Sequence, residues 1–258
     1  MNKLYFVDTH AHITKKDYKD INKVVYDAFS NGVEYIINSG SDARSNKEIL
    51  KLSKKYKNMY ITLGIHPHEA NNYKEKDILF IKKHLNNKKV VAIGEIGLDY
   101  HYGRDTKKEQ IKLFELQLQI AEENNLPVVI HARDSHEDIL NCLKKHKVKA
   151  VIHSYSDNLK YAKKYVKEGY LLGINGILTF QNSNLNKVLK EISINNIILE
   201  TDSPYLSPVP LRGKQNEPKN VKIISDSLSK IYNIDLKELA KITNKNVSNL
   251  FDKIKLKW

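Results

Sequence analysis

One cysteine, one tryptophan and four arginines are all that the 258 residues hold of those types. The lone Cys142 excludes an internal disulfide, and its neighbours Ile139, Leu140 and Leu143 make it a thiol in the core of a helix. Apolar runs are short, and none approaches the roughly 20 residues that a bilayer-spanning helix needs. The first strand-like run begins by Leu4, so no signal peptide is expected and the expected location is cytoplasmic. Acidic residues are few beside basic ones, 30 against 43, which leaves a formal charge of +13. That excess attracts polyanions such as nucleic acid, although much of it is lysine on solvated helix surfaces. Arginine is the sharper signal, because Arg104, Arg133 and Arg212 lie in or beside the loops that carry the motifs below. A planar guanidinium grips phosphate through two bonds where lysine offers a point charge, so the substrate is expected to be anionic.

What the chain has is a regular alternation of short β-rich runs and helical patterns. Strands are expected near Leu4–Val7, Glu34–Asn38, Met59–Gly64, Val90–Gly94, Val128–Ile130, Ala150–Ile152, Tyr170–Ile174 and Ile197–Leu199. Eight parallel strands in 258 residues fit an α/β fold, a (β/α)8 TIM-type barrel spanning residues 1–258 as one domain. Ile111, Phe114, Leu118 and Ala121 form an amphipathic stripe, and Leu159, Ala162 and Val166 a shorter one. Asp105 and Asp134 sit where N-caps belong, and Gly32 and Gly169 where helices close. Past the eighth strand an irregular, proline-rich stretch from Ser203 to Pro218 is expected to fold over the barrel mouth. Two additional helices follow, Pro218–Ile231 and Leu236–Phe251, with Leu239, Ile242, Val247, Leu250 and Phe251 packing against the barrel.

Six apolar runs end in a histidine or an acid: VDTHAH, GIHPH, GEIGLDY, VVIHAR, VIHS and ILETDSP. In a closed parallel barrel those ends face one mouth, so the recurrence points to a metal centre with His10, His12, Glu95, His131, His153 and Asp202 as ligands. His10 and His12 are two apart on an extended segment and point to one side. Glu95 has two oxygens with which to bridge two cations, and Asp8 is placed to orient a histidine. The set calls for two divalent ions, Zn²⁺ or Mn²⁺ from its nitrogen-rich donors, with Mg²⁺ as the oxygen-preferring alternative. Hydrolysis is the expected reaction, with Asp202 accepting the proton of the attacking water.

These motifs resemble the TatD-type metal-dependent deoxyribonucleases, a family of amidohydrolase-like barrels. DTHAH, GIHPHEA, AIGEIGLDYH, LPVVIHARD, ILETDSPYL and RGKQNEP occur in the family's order, nearly end to end. The resemblance implies the same six metal ligands and 3′-to-5′ removal of nucleotides from single-stranded or frayed DNA ends. No membrane and no obligate protein partner is expected. Ala11, Asp157, Asn175 and Gln215 depart from the family pattern; none removes a ligand, but Asp157 and Gln215 make the mouth less positive.

Among other residues, His66 is expected at the site as a catalytic contact, and Arg133, Arg212 and His101 as substrate contacts. His68 is a weaker candidate, and His84, His136 and His146 are expected on the surface. Tyr100, Tyr102, Tyr155 and Tyr205 offer rings for stacking on bases. Two alternatives stay open: an ester or amide hydrolase on the same centre, such as an aminoacyl-tRNA deacylase, and a non-catalytic nucleic-acid binder.

Overall fold

The computed structural model describes residues 4–256. Its strands are β1 (Phe6–Ala11), β2 (Val33–Ser39), β3 (Met59–Leu63), β4 (Val90–Asp99), β5 (Val128–Arg133), β6 (Ala150–Ile152), β7 (Leu171–Ile174) and β8 (Ile197–Leu199), and they lie in the sheet order β1 to β8. Between them run α1 (Ile21–Ser30), α2 (Ala43–Lys55), α3 (Glu75–His84), α4 (Lys107–Glu123), α5 (His136–Leu143), α6 (Leu159–Lys167) and α7 (Leu185–Leu189). After β8 come α8 (Val221–Tyr232) and α9 (Leu236–Leu250). This is the (β/α)8 TIM-type fold that the alternation predicts, with two helices appended.

The chain divides into two compact halves, one made of the chain up to Asn38 and from Ser154 onward, the other of Ser39–His153. In the first half β1 pairs in parallel with β2, and β7 with β8, Leu172 lying opposite Ile197 and Ile174 opposite Leu199. A bridge from Ala11 to Ser203 ties the end of β1 to the chain just past β8. Helix α9 packs on β1 and β8 and buries Leu239, Val247 and Leu250, with Phe251 beyond its end also buried, each worth about 1.5–3 kcal/mol. Ile242, expected in that stripe, is only half-buried, because Asn244 and Asn246 take the inward positions. Their amides are satisfied: Asn244 donates to the Tyr5 carbonyl at 3.1 Å and Asn246 to those of Ile194 and Ile197 at 2.9 and 2.8 Å.

In the second half β3, β4, β5 and β6 pair in parallel. Their runs are apolar on both faces, as strands covered by helices require. Helix α4 lies against β4 and buries Leu113, Phe114, Leu118 and Ala121. Gly97 holds φ +143°, and a Cβ there would strike the His131 carbonyl. Only glycine lets β4 and β5 approach so closely at this point.

Three strands run further than the apolar pattern suggests: β1 includes His10, β4 extends through Glu95 to Asp99, and β5 extends through His131 to Arg133. The ladder is made by backbone groups, Gly97 pairing with His131 and Asp99 with Arg133, so a polar side chain does not end it. Two expected caps are absent. Asp105 lies inside a short 3-10 turn, Arg104–Thr106, and Asp134 adopts φ +54°. Ser135 occupies the α5 cap position and donates to the Leu98 carbonyl at 2.8 Å. Side-chain caps come instead from Asp20, Asp42, Asn158 and Asp235. Helix α6 buries Ala162 and Tyr165, not Val166. Gly32 and Gly169 do close helices, at φ +88° and +82°.

Candidate metal centre

In the first half, β1 carries His10 and the next residue but one, His12, follows its end. Alternation sends both rings to the same side, and their Nε2 atoms lie 3.1 Å apart. Asp202 sits three residues past β8 and faces them, its Oδ1 3.8 Å from His10 Nε2 and 3.6 Å from His12 Nε2. Backbone bonds fix this register: Asp202 N–H donates to the His10 carbonyl at 2.9 Å and His12 N–H to that of Ser203 at 2.6 Å. Asp202 holds φ +54°, a left-handed conformation that aspartate tolerates better than most residues. His10 is fully buried and Asp202 is 9% exposed.

Asp8 does not reach for a ring as expected. Its Oδ1 accepts from the backbone N–H groups of Thr201 at 2.8 Å and His10 at 3.4 Å, and its Oδ2 from the Thr201 hydroxyl at 2.6 Å. It therefore locks the two backbones on which the ligands sit. Burial pushes the Asp8 carboxyl well above its usual range, against the lowering effect of the Thr201 bonds.

In the second half, three imidazole nitrogens converge on one oxygen. Glu95 Oε1 lies 2.9 Å from His153 Nε2, 3.0 Å from His131 Nδ1 and 3.5 Å from His66 Nε2. Glu95 and His153 are buried. The other nitrogen of His131, Nε2, lies 3.0 Å from Asp99 Oδ2, and His68 Nε2 reaches the same oxygen, also at 3.0 Å. Burial alone would push His131 down, but its bonds to Asp99 and Glu95 outweigh this and hold it above its ordinary value. Burial alone would likewise raise Asp99, yet the His131 bond brings the carboxyl below its usual range. Two carboxylates flanking one imidazole make this a place that favours positive charge.

The donor chemistry suits a divalent cation. His10, His12 and Asp202 form one group whose ligand atoms all lie within 4.8 Å of one another, and His66, Glu95 and His131 form another. Mixed imidazole and carboxylate donors match Zn²⁺ or Mn²⁺. His66 differs from its neighbours, because its Nδ1 accepts the His68 N–H at 3.2 Å. That bond leaves Nε2 as the ring nitrogen facing Glu95.

The residues named for substrate contact are less gathered. The Arg133 guanidinium lies 4.7 Å from the centre of the Tyr102 ring, and that of Arg212 3.9 Å from the centre of Phe180. Both arginines are exposed. His101 bonds Asp134 through Nδ1 at 3.2 Å and is exposed. Tyr102 and Tyr205 are open to solvent, 68% and 54% exposed, whereas Tyr155 is buried and Tyr100 donates to Asp138 at 2.8 Å. The exposed rings already have neighbours, Tyr102 lying against His68 and His101 and Tyr205 against His12. His136, expected on the surface, is buried; His146 is half-buried against Glu122 at 2.9 Å, and His84 half-buried against the Phe80 carbonyl at 2.8 Å. Gln215 donates to the Asp17 carbonyl at 2.5 Å, which gives that departure from the family pattern a structural use.

One residue beside the candidate ligands escaped the sequence reading. Asp99 was legible: it stands an even four residues after Glu95 on one strand, so both side chains share a face.

Residues 7–252 match the family model described as TatD related DNase. An uncharacterized metal-dependent hydrolase of Bacillus subtilis, YabD, is 36% identical over 249 residues, which cover 95% of this chain and 98% of that one. An uncharacterized metal-dependent hydrolase of Buchnera aphidicola is 34% identical over 265 residues, covering 96% and 100%. Among solved structures, the TatD homolog YJJV of Escherichia coli superposes with a TM-score of 0.89 at 28% identity, covering 96% of this chain and 98% of that one.

Proposed function

The chain belongs to the TatD-related family and is a metal-dependent hydrolase, and on that premise we propose that it removes nucleotides from the 3′ ends of single-stranded or frayed DNA with two divalent cations. The observation that carries this reading is the convergence of His66, His131 and His153 on Glu95 Oε1, within 3.5 Å. Binding alone does not call for a buried carboxylate ringed by imidazoles. A bound divalent cation supplies Lewis acidity, making water a nucleophile at neutral pH and polarising a phosphoryl oxygen.

The chain's own residues do the rest. His10, His12 and Asp202 hold one ion, and Glu95, His131 and His153 the other. Asp202 accepts the proton of the attacking water, its carboxylate being partly open to solvent where Glu95 is more deeply buried. Arg133 and Arg212 hold phosphate oxygens through paired N–H groups, which an ester or amide substrate without phosphate would not use. His66, whose Nε2 faces Glu95, contacts the substrate at the reacting group. His101 steadies the incoming strand, and the exposed rings of Tyr102 and Tyr205 stack on bases. The charge of +13 raises the local concentration of a polyanionic substrate.

The test is digestion of 5′-labelled single-stranded DNA by protein loaded with Mn²⁺ or Zn²⁺. A ladder shortening from the 3′ end is expected. Intact DNA, together with turnover of an aminoacyl ester or amide, would replace the phosphodiesterase reading with the alternative hydrolase.

A further inference from the structure

The first half contains a cavity of about 690 Å³ apart from the histidine and carboxylate cluster. It lies among the 3-10 turn Gly176–Thr179 after β7, helix α7 and the last turns of α8. Phe180, Gln181, Asn186, Val209, Lys190 and Lys230 are among its lining residues, and among the described residues no carboxylate lines it. Lys190 and Lys230 are both exposed, and among the described residues neither belongs to an ion pair. One wall is held firmly, since the Thr179 hydroxyl donates to the Gly176 carbonyl at 2.7 Å and accepts the Val209 N–H at 2.8 Å.

Two cations facing one cavity without an acid create a local positive potential. The volume falls in the range of about 300–1,000 Å³ typical of ligand sites. Cations beside an aromatic ring and side-chain amides are the elements of a groove that follows a single strand without reading its sequence. Phe180 adds continuity. It lines the cavity and also lies beneath the Arg212 guanidinium, 3.9 Å from ring centre to carbon, and Arg212 is one of the two arginines assigned to substrate phosphate.

We propose that this cavity is a strand-holding subsite for single-stranded DNA, with Lys190 and Lys230 on phosphates away from the cleaved bond and Phe180 against a base or sugar. The proposal rests on the nuclease reading for its substrate but not for its test. The subsite adds binding to long strands and contributes nothing to hydrolysis of a small diester that cannot reach it.

The experiment measures binding of a 5′-fluorescein-labelled 12-nucleotide DNA by anisotropy across a salt series. It compares wild type, the double variant Lys190→Gln/Lys230→Gln and a charge-matched control, Lys82→Gln/Lys83→Gln on the exposed face of α3. The double variant is expected to bind more weakly. Its log K against log salt slope should be shallower by about 1.4, two phosphates at about 0.7 each on a single strand. The control should keep the wild-type slope, and metal-loaded protein of all three should hydrolyse bis(p-nitrophenyl) phosphate equally. A wild-type slope in the double variant, an equal change in the control, or no DNA binding by wild type would each overturn the subsite. Failure of metal-loaded wild type to hydrolyse either DNA or the small diester would overturn the nuclease reading instead, and the binding series would still decide the subsite.

Discussion

His131 stands between two carboxylates, its Nε2 3.0 Å from Asp99 Oδ2 and its Nδ1 3.0 Å from Glu95 Oε1. A ring held at one nitrogen by a buried carboxylate has its other nitrogen aimed and made more basic, the usual support for a metal-ligating histidine. Asp99 is itself fixed, because its Oδ1 accepts the N–H groups of His101 at 3.0 Å and Tyr102 at 3.2 Å. Asp99→Asn should therefore weaken divalent-metal binding by about 10–100-fold while the protein stays folded. Competition against a chromophoric chelator reads the affinity, and a wild-type value would show that Asp99 serves only the loop.

Metal removal should separate activity from folding. The proposed ligands sit on or just past strands whose apolar residues, such as Ile93, Ile130 and Ile152, are already fully or almost fully buried, so the core does not depend on an ion. Chelation is expected to abolish hydrolysis and Mn²⁺ or Zn²⁺ to restore it, with far-UV circular dichroism unchanged throughout. Full hydrolysis by rigorously metal-free protein would refute the mechanism.

The fold was legible because the βα alternation needs only short apolar runs and amphipathic stripes; β6 and β8 coincide with their expected limits. Strand ends were less legible. Glu95, Asp99 and His131 lie inside their strands, where ladder bonding continues through residues that a hydropathy pattern takes as loop. Backbone turns were also hidden. Asp134, Ser154 and Asp202, each at or just past a strand's end, take positive φ without glycine; such conformations cost energy locally and are held by surrounding contacts, which a local pattern does not display. His136 was misplaced because a polar residue at the start of a helix reads as solvated, whereas α5 turns that position inward.

The two arginines proposed to bind phosphate each lie over an aromatic ring, Arg133 over Tyr102 and Arg212 over Phe180. Replacement by lysine keeps the charge but loses both the stacked plane and the paired N–H groups. Arg133→Lys and Arg212→Lys should each lower kcat/KM on DNA by an amount equivalent to about 1.5–3 kcal/mol, the usual worth of hydrogen bonds to charged groups. Steady-state kinetics on one oligonucleotide at fixed salt reads this, and two variants with wild-type values would remove the arginines from phosphate binding.

Cys142 gives a pH-dependent prediction independent of the site. Burial first, and the Glu115 carboxylate second, push its thiol up to about 12, so the folded protein keeps it protonated. In the unfolded chain it ionises near about 8.5. Protonation is thus favoured by folding, and its stabilising contribution is complete below that pH and lost as pH rises toward 12. Alkylation at pH 8.5 should be slow in native protein and fast in urea. Equal rates would show that the thiol is accessible.

Asp202 distinguishes catalysis from mere binding. Asp202→Asn preserves size and one oxygen facing His10 and His12, but it removes the carboxylate proposed to accept the proton from water, a role worth about 10²–10⁴-fold in rate. Binding of DNA, if it rests on lysine and arginine charge as proposed, should persist or tighten, because an anion near the proposed phosphate positions has gone. Both quantities are to be measured on the same end-labelled oligonucleotide at one salt concentration. Cleavage lower by at least about a hundredfold with binding intact assigns proton transfer to Asp202. Unchanged cleavage would move that role elsewhere, and wild-type protein that binds DNA without cutting it under any divalent metal would make this chain a binder.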